Sequence, residues 1–237
     1  MSMKKIIVKD YETLSEVAAS IVIEKWSLDR RVNLSLTAGS TPKGMYQILL
    51  ARKEQMVQDW STIHYYNFDE VALANERYGL TMQALREEFY LPAAISEGNV
   101  HELNADNYQT ASAEIQQAGG LDLVVMGLGG DGHFCGNLPE YTKFGAGIYE
   151  VSMTPETALY QMVEKMGVTP GDKLVTFGPQ TVLSAQQLVL MVNGEAKAEI
   201  LRQVLEEPVT EEVPASILRL HNNLTVIADE AAASRLS

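Results

Sequence analysis

Only one cysteine, Cys135, occurs among the 237 residues. A single thiol excludes an intramolecular disulfide framework and a four-thiolate metal site. Positive charge is scarce as well: 18 Lys and Arg face 31 Asp and Glu, a formal net charge of −13. Nucleic acid and anionic membrane surfaces both require clustered Lys and Arg, so neither is expected as a partner. An anionic ligand would have to be captured by local amides and a few placed cations, because the overall field repels it. Long apolar runs are missing too, and the stretches 121–128 and 187–192 are far too short to cross a bilayer. The basic start meets Lys9 and Asp10 before a signal-peptide core can form, which points to the cytoplasm.

What is present reads as an ordinary globular chain, 46% hydrophobic and 21% charged. Short β-branched runs alternate with amphipathic stretches. Strands are expected at 5–8, 32–36, 63–67, 121–126, 174–177, 187–192 and 224–228. Helices are expected at 11–26, from Thr41-Pro42 to about 52, near 81–90, at 106–117 and at 194–205. The run LDLVVM at 121–126 is almost continuously apolar, as a strand covered on both faces should be. This alternation predicts an α/β fold, a three-layer, Rossmann-like and mostly parallel doubly wound sheet with helices on both faces. No repeat or linker breaks the chain, so residues 1–237 read as a single domain. Residues 140–171, with several Gly and Pro and weak periodicity, are the irregular part and suit either a lid or a plain surface excursion.

Three strands end in loops with polar groups, and ligands of such sheets bind beyond the carboxyl ends of the strands. The first loop is Thr37-Ala38-Gly39-Ser40-Thr41-Pro42. Gly39 permits close backbone approach, Ser40 and Thr41 carry hydroxyls, and a helix N-terminus follows, which together make a phosphate cradle. A plain capped helix start is the alternative, and the Walker spacing is absent. The second is Asn67-Phe68-Asp69-Glu70, two adjacent acids that are either an exposed loop or include a base directed into a cleft. The third, from Gly127 to His133, places Asp131 two residues from His133, where the pair can share or orient a proton.

Gly127, Gly129 and Gly132 also match Gly-x-Gly-x-x-Gly. The residues from His133 to Pro139 do not open a helix and the motif lies mid-chain, which argues against a dinucleotide cofactor. No further ligands at metal spacing accompany Asp131 and His133, so neither a metal nor a cofactor is expected. Cys135 reads as filler of a small apolar gap. His64 and His101 read as structural, while the role of His221 stays open. Lys197 sits near a helix start, where a cation opposes the dipole unless an anion lies close, and this favours a bound phosphate.

Taken together, Thr37-to-Gly44 (TAGSTPKG), Asn67-to-Glu70 (NFDE), Leu121-to-His133 (LDLVVMGLGGDGH), Gly194-to-Ala198 (GEAKA) and Pro214-to-His221 (PASILRLH) resemble, in order and spacing, the glucosamine-6-phosphate deaminase and 6-phosphogluconolactonase family. The resemblance covers nearly the whole chain. It implies a metal-free site for a small phosphorylated sugar, with Asp69 as the base that removes the C2 proton and Asp131 with His133 assisting ring opening. It further implies that Gly39, Ser40, Thr41 and Lys197 hold the phosphate. In the lactonases the same histidine activates water, which would give His133 a different task.

Two departures stand out. The deaminases carry a glutamate five residues after the histidine, and here that residue is Leu138, which transfers no proton. They also supply a lid arginine, and residues 140–196 contain none. The PASILRLH segment, Asn137 and Pro139 look like the deaminase branch. The expectation is therefore an amino-sugar-phosphate deaminase or isomerase, with a lactonase as the alternative and a non-catalytic sugar-phosphate sensor behind both. A homo-oligomer is compatible with the sequence, which fixes neither stoichiometry nor sugar epimer.

Overall fold

In the computed structural model, residues 3–237 are described. Strand β1 (Lys4–Val8) leads into α1 (Tyr11–Trp26), whose first turn is capped by Asp10 accepting from the Thr13 amide at 2.9 Å. β2 (Val32–Ser35), α2 (Lys43–Gln55) and β3 (Ile63–Tyr66) follow. Then come β4 (Asp69–Leu73), α3 (Leu80–Leu85) and a single π turn, Arg86–Tyr90. After β5 (Val100–His101), α4 (Tyr108–Gln117) and β6 (Leu123–Gly127), the chain forms β7 (Ile148–Ser152) and α5 (Ala158–Glu164). β8 (Pro170–Phe177), α6 (Pro179–Leu183), β9 (Leu188–Val192), α7 (Ala198–Glu206) and β10 (Leu224–Asp229) complete it.

Seven strands form one sheet in the order β1-β10-β9-β6-β2-β3-β5, and every pairing in it is parallel. Alternate residues of the inner strands face opposite layers. In β6, Leu123 and Val125 pack on the face of α1, α2 and the π turn, while Val124 and Met126 pack on the face of α4, α6 and α7. Burial on both sides is why this strand reads as unbroken apolar sequence. The expected α/β, three-layer, mostly parallel sheet is what forms.

From β2 the order runs outward through β3 to β5, then the chain returns across β2 to add β6, β9 and β10 on the other side. The loops leaving β2 and β6 therefore diverge, and a crevice opens between them at the carboxyl edge.

The structure corrects several local expectations. Residues 174–177 do not join the parallel sheet; β8 lies at the centre of a separate antiparallel sheet, β4-β8-β7. Leu73, Val151 and Leu174 of this sheet make a small core with Met153 and with Val163 of α5. Asp69 and Glu70 are not in a free loop but begin β4, pairing with Thr176 and Val175. The region 81–90 is one short α-helix continued by a π turn. Residues 140–171 include β7 and α5, with β7 paired along β8. Single-sequence periodicity cannot distinguish a short apolar strand of a parallel sheet from one of a hairpin layer, which accounts for the first misplacement.

Candidate active site

The crevice holds a cavity of about 390 Å³ lined by the loop after β2, the loop after β6, Phe68, Asp69, Thr81, Cys135 and Lys197. That size falls within the roughly 300–1,000 Å³ of small-molecule sites. Of the residues singled out from sequence, Gly39, Ser40, Thr41, Asp69, His133 and Lys197 all line it. Asp131 does not; it stands behind His133.

In the loop after β2, Gly39 takes φ +103°, a conformation that side chains rarely adopt. The amides of Gly39, Ser40 and Thr41 make no hydrogen bond among the described residues. The Thr41 side chain does not cap α2. Its hydroxyl donates to Asn193 Oδ1 at 2.8 Å, and Pro42 occupies the cap position without a side-chain bond. Thr41 thus ties the loop after β2 to the loop after β9, and its backbone N–H is the group left for an anion. Tyr11 braces the same loop, its hydroxyl donating to the Thr41 carbonyl at 3.0 Å and accepting from the Gly44 amide at 2.8 Å.

Lys197 enters from the turn after β9, one residue before α7. Its Nζ lies near Gly130 and makes no ion pair among the described residues. The turn is fixed by Asp229 at the end of β10, whose two carboxylate oxygens accept from the Gly194 amide at 3.0 Å each. A free ammonium and uncommitted amides at one end of a cavity are local groups suited to an anion on an acidic protein.

At the other side, His133 Nδ1 sits 2.6 Å from Asp131 Oδ1, so the carboxylate fixes the ring and leaves Nε2 as the free nitrogen. That hydrogen bond holds the Asp131 carboxyl down at about 2. Gly129 is obligatory here, since a Cβ would collide with the His133 ring at Nδ1. The loop is clamped from behind: the Ala215 amide, in the 3-10 turn Pro214–Leu220, donates to the Gly132 carbonyl at 2.9 Å. Asn137, fully buried, donates to the carbonyls of Phe134 and Phe177. The PASILRLH motif is thereby explained as a brace. His221 accepts from the Asn223 amide at Nδ1 and donates from Nε2 to the Ala185 carbonyl at 2.8 Å, a structural role.

Asp69 is partly exposed to the cavity. Burial lifts its pKa to about 6, against the opposing pull of the Thr81 hydroxyl, which donates to Oδ1 at 2.8 Å, and of His133. Such a carboxyl is ionised at neutral pH yet far more basic than an ordinary aspartate. Cys135, with φ +49°, lies in the cavity wall, and burial raises its thiol so that it stays protonated. Leu138 points elsewhere, packing against the small core. Among the described residues no group of three metal-ligating side chains is found.

Sequence reasoning missed Thr81, Asn193 and Asp229. The last two had a signal: both sit at the end of an apolar strand, at the edge where ligands bind. Thr81 had none, because it reaches Asp69 only through the fold.

Comparison with known proteins gives the family and supports the fold. The family model described as glucosamine-6-phosphate isomerases/6-phosphogluconolactonase matches residues 10–227. The chain is 33% identical over 246 residues to glucosamine-6-phosphate deaminase of Shouchella clausii, covering 98% of this chain and 97% of that protein. It is 31% identical over 245 residues to glucosamine-6-phosphate deaminase 2 of Bacillus subtilis, covering 99% and 98%. Among solved structures, a monomeric glucosamine-6-phosphate deaminase superposes with a TM-score of 0.86 at 26% identity, covering 98% of this chain and 100% of that one. The 6-phosphogluconolactonase of Trypanosoma cruzi superposes at 0.77 with 20% identity, covering 100% and 97%, a likeness of fold. With a full-length match in sequence and in architecture, the chain belongs to the glucosamine-6-phosphate isomerase/6-phosphogluconolactonase family.

Proposed function

We propose that the chain is a hexosamine-6-phosphate deaminase/isomerase, converting glucosamine- or galactosamine-6-phosphate to a ketose phosphate and ammonia. The observation that carries this reading is Asp69, a half-buried carboxylate with a pKa of about 6 that faces the cavity opposite His133. Hydrolysis of an ester needs no such group, whereas removing a proton from carbon does.

The substrate phosphate would sit on the amides of Gly39, Ser40 and Thr41 with Lys197 beside it, placing the sugar along the cavity. His133 Nε2, with Asp131 holding the ring, moves the proton between the ring oxygen and the anomeric hydroxyl and opens the pyranose to the aldehyde. The carbonyl at C1 acidifies the C2 hydrogen, which Asp69 takes, while the substrate's own ammonium passes a proton to O1, leaving a neutral enolamine. Asp69 gives the proton back at C1, which makes an iminium at C2. Water adds there and ammonia leaves, so that the sum is substrate plus water to ketose phosphate plus ammonia.

Leu138 supports a second reading, a lactonase in which His133 activates water, because no acid stands where the deaminases have one. One panel separates the two: glucosamine-6-phosphate, galactosamine-6-phosphate and 6-phosphogluconolactone, read for ammonia, ketose and acid. Ammonia and ketose in stoichiometric amounts are expected. Acid from the lactone without ammonia from either amine would overturn the first reading, and binding without any turnover would leave a sensor.

A further inference from the structure

We propose that Glu70, which the chemistry above does not use, is a positioning residue for the Asp69 carboxylate, acting through the first turn of α3. The inference rests on the reading of Asp69 as the base and adds to it the device that aims that base.

Glu70 is the neighbour of Asp69 on β4, so the two side chains leave the strand on opposite faces. Asp69 faces the cavity. Glu70 is 3% exposed and turns away from it, towards the start of α3. There Oε1 accepts from the Thr81 amide at 2.8 Å and Oε2 from the Met82 amide at 3.0 Å. Burial pushes the Glu70 carboxyl up to about 8, and the fork onto two helix amides, which matches both oxygens of the charged form, opposes that rise.

The residue it holds by the backbone, Thr81, is the one whose hydroxyl donates to Asp69 Oδ1 at 2.8 Å. The two acids are therefore joined into a ring: Asp69, the peptide to Glu70, the Thr81 amide, the Thr81 hydroxyl and back. The Thr81 bond occupies one oxygen of the base and leaves the other to the substrate, so its geometry decides where the basic lone pair points. Thr81 sits on a six-residue helix without an N-terminal side-chain cap of its own, and Glu70 supplies what the cap lacks. The site is also built around this fork: a Cβ on Gly79 would collide with Glu70 Oε1 and with the Val71 carbonyl. A residue chosen only to fill space would not need two matched donors and a glycine opposite.

The test follows the Asp69 carboxyl by side-chain carbon NMR in the free, full-length protein, with Asp69→Asn assigning the signal. Thr81→Val removes the donated bond and is expected to raise the Asp69 midpoint by roughly one pH unit. Thr81→Ser retains the hydroxyl and is expected to restore it. Glu70→Asp keeps the carboxyl but shortens its reach to the two amides by one methylene, displaces Thr81, and is expected to move Asp69 in the same direction. The double variant should shift no further than Thr81→Val alone, because both break one chain. The other charged groups that reach this pair, His133 beside Asp69 and Glu102 beside Glu70, are unchanged in every variant.

In turnover, Glu70→Gln should lower kcat about tenfold with KM nearly unchanged, since Glu70 does not line the cavity. Because Glu70→Gln also removes a charge that raises Asp69, its midpoint is read only beside that of Glu70→Asp, and Glu70→Asp is expected to lower kcat in the same way. A folded Glu70→Asp protein with the wild-type Asp69 midpoint, or shifts that add in its double variant with Thr81→Val, would overturn the proposal. The titration requires no substrate. A protein that shows the coupling but releases no ammonia loses the functional reading and keeps this one, and the reverse result does the opposite.

Discussion

Among single residues, Asp69 and Lys197 take different parts in the proposed chemistry. Asp69 owes its basicity to burial, which pushes it to about 6. Activity is therefore expected to fall as pH drops below about 6 and the base takes up a proton, and a pH profile of kcat/KM for ammonia release checks this. Asp69→Asn should cost about 10²–10⁴ in kcat, the usual weight of a general base. An Asp69→Asn protein that kept most of the wild-type rate would show that carbon deprotonation is not its task. Lys197 is a cation without an ion-pair partner among the described residues of an acidic protein. Lys197→Ala is expected to raise KM roughly 10- to 100-fold with a smaller effect on kcat, by loss of a charge-assisted bond to the phosphate. Added inorganic phosphate should compete with substrate in the wild type and lose that effect in the variant.

Between elements, the two edges of the parallel sheet serve separate purposes. At the amino edge, Asp122, buried at the foot of β6, pairs with Arg30 at 2.6 Å and accepts from the Asn33 amide at 2.8 Å. This locks β2 to β6, the two strands whose carboxyl edges open the crevice. Asp122→Ala leaves a buried N–H unmatched, and a loss of about 1–3 kcal/mol is expected. Thermal unfolding should show it as a drop in Tm, with kcat in the surviving protein close to wild type. At the carboxyl edge, the antiparallel sheet fixes the site from outside: Thr176 on β8 accepts from the Gly136 amide at 2.9 Å and pairs with Asp69 on β4. Residues 140–171, which read as irregular, supply β7 to that sheet.

For the molecule as a whole, acidity and two half-buried imidazoles set the behaviour in solution. His64 Nδ1 lies 2.9 Å from His101 Nε2, with Arg31 beside them. Burial first, then the charges of Arg31 and His101, depress His64 to about 4, and burial lowers His101 as well. An unfolded chain protonates its histidines near pH 6.5, while the fold refuses the proton until about 4. Unfolding thus takes up protons in that interval, so this pair makes the fold less stable as pH falls from about 6.5 towards 4. Asp69 and Glu70 act oppositely, since their raised values, about 6 and about 8, favour the fold at low pH. The pair is isolated by difference: His64→Gln should flatten the loss of Tm between about pH 7 and pH 5, and an unchanged slope would remove the pair as its cause.

The class of fold, the sheet edge that bears the ligand and most of the wall of the site were legible before any coordinates. Strand and helix periods are local, and TAGST, NFDE and GGDGH each follow an apolar strand closely. Asp69, Asp131, His133, Gly39, Ser40 and Thr41 could be picked out from those positions, and Lys197 from its place at a helix start. Packing in three dimensions was needed to show that β8 leaves the parallel sheet and that Thr41 spends its hydroxyl on Asn193. The same holds for Leu138 facing a separate core and for Thr81 and Glu70 meeting beside Asp69. Such contacts depend on which residues meet across 11 to 152 positions of chain, and no local period encodes that.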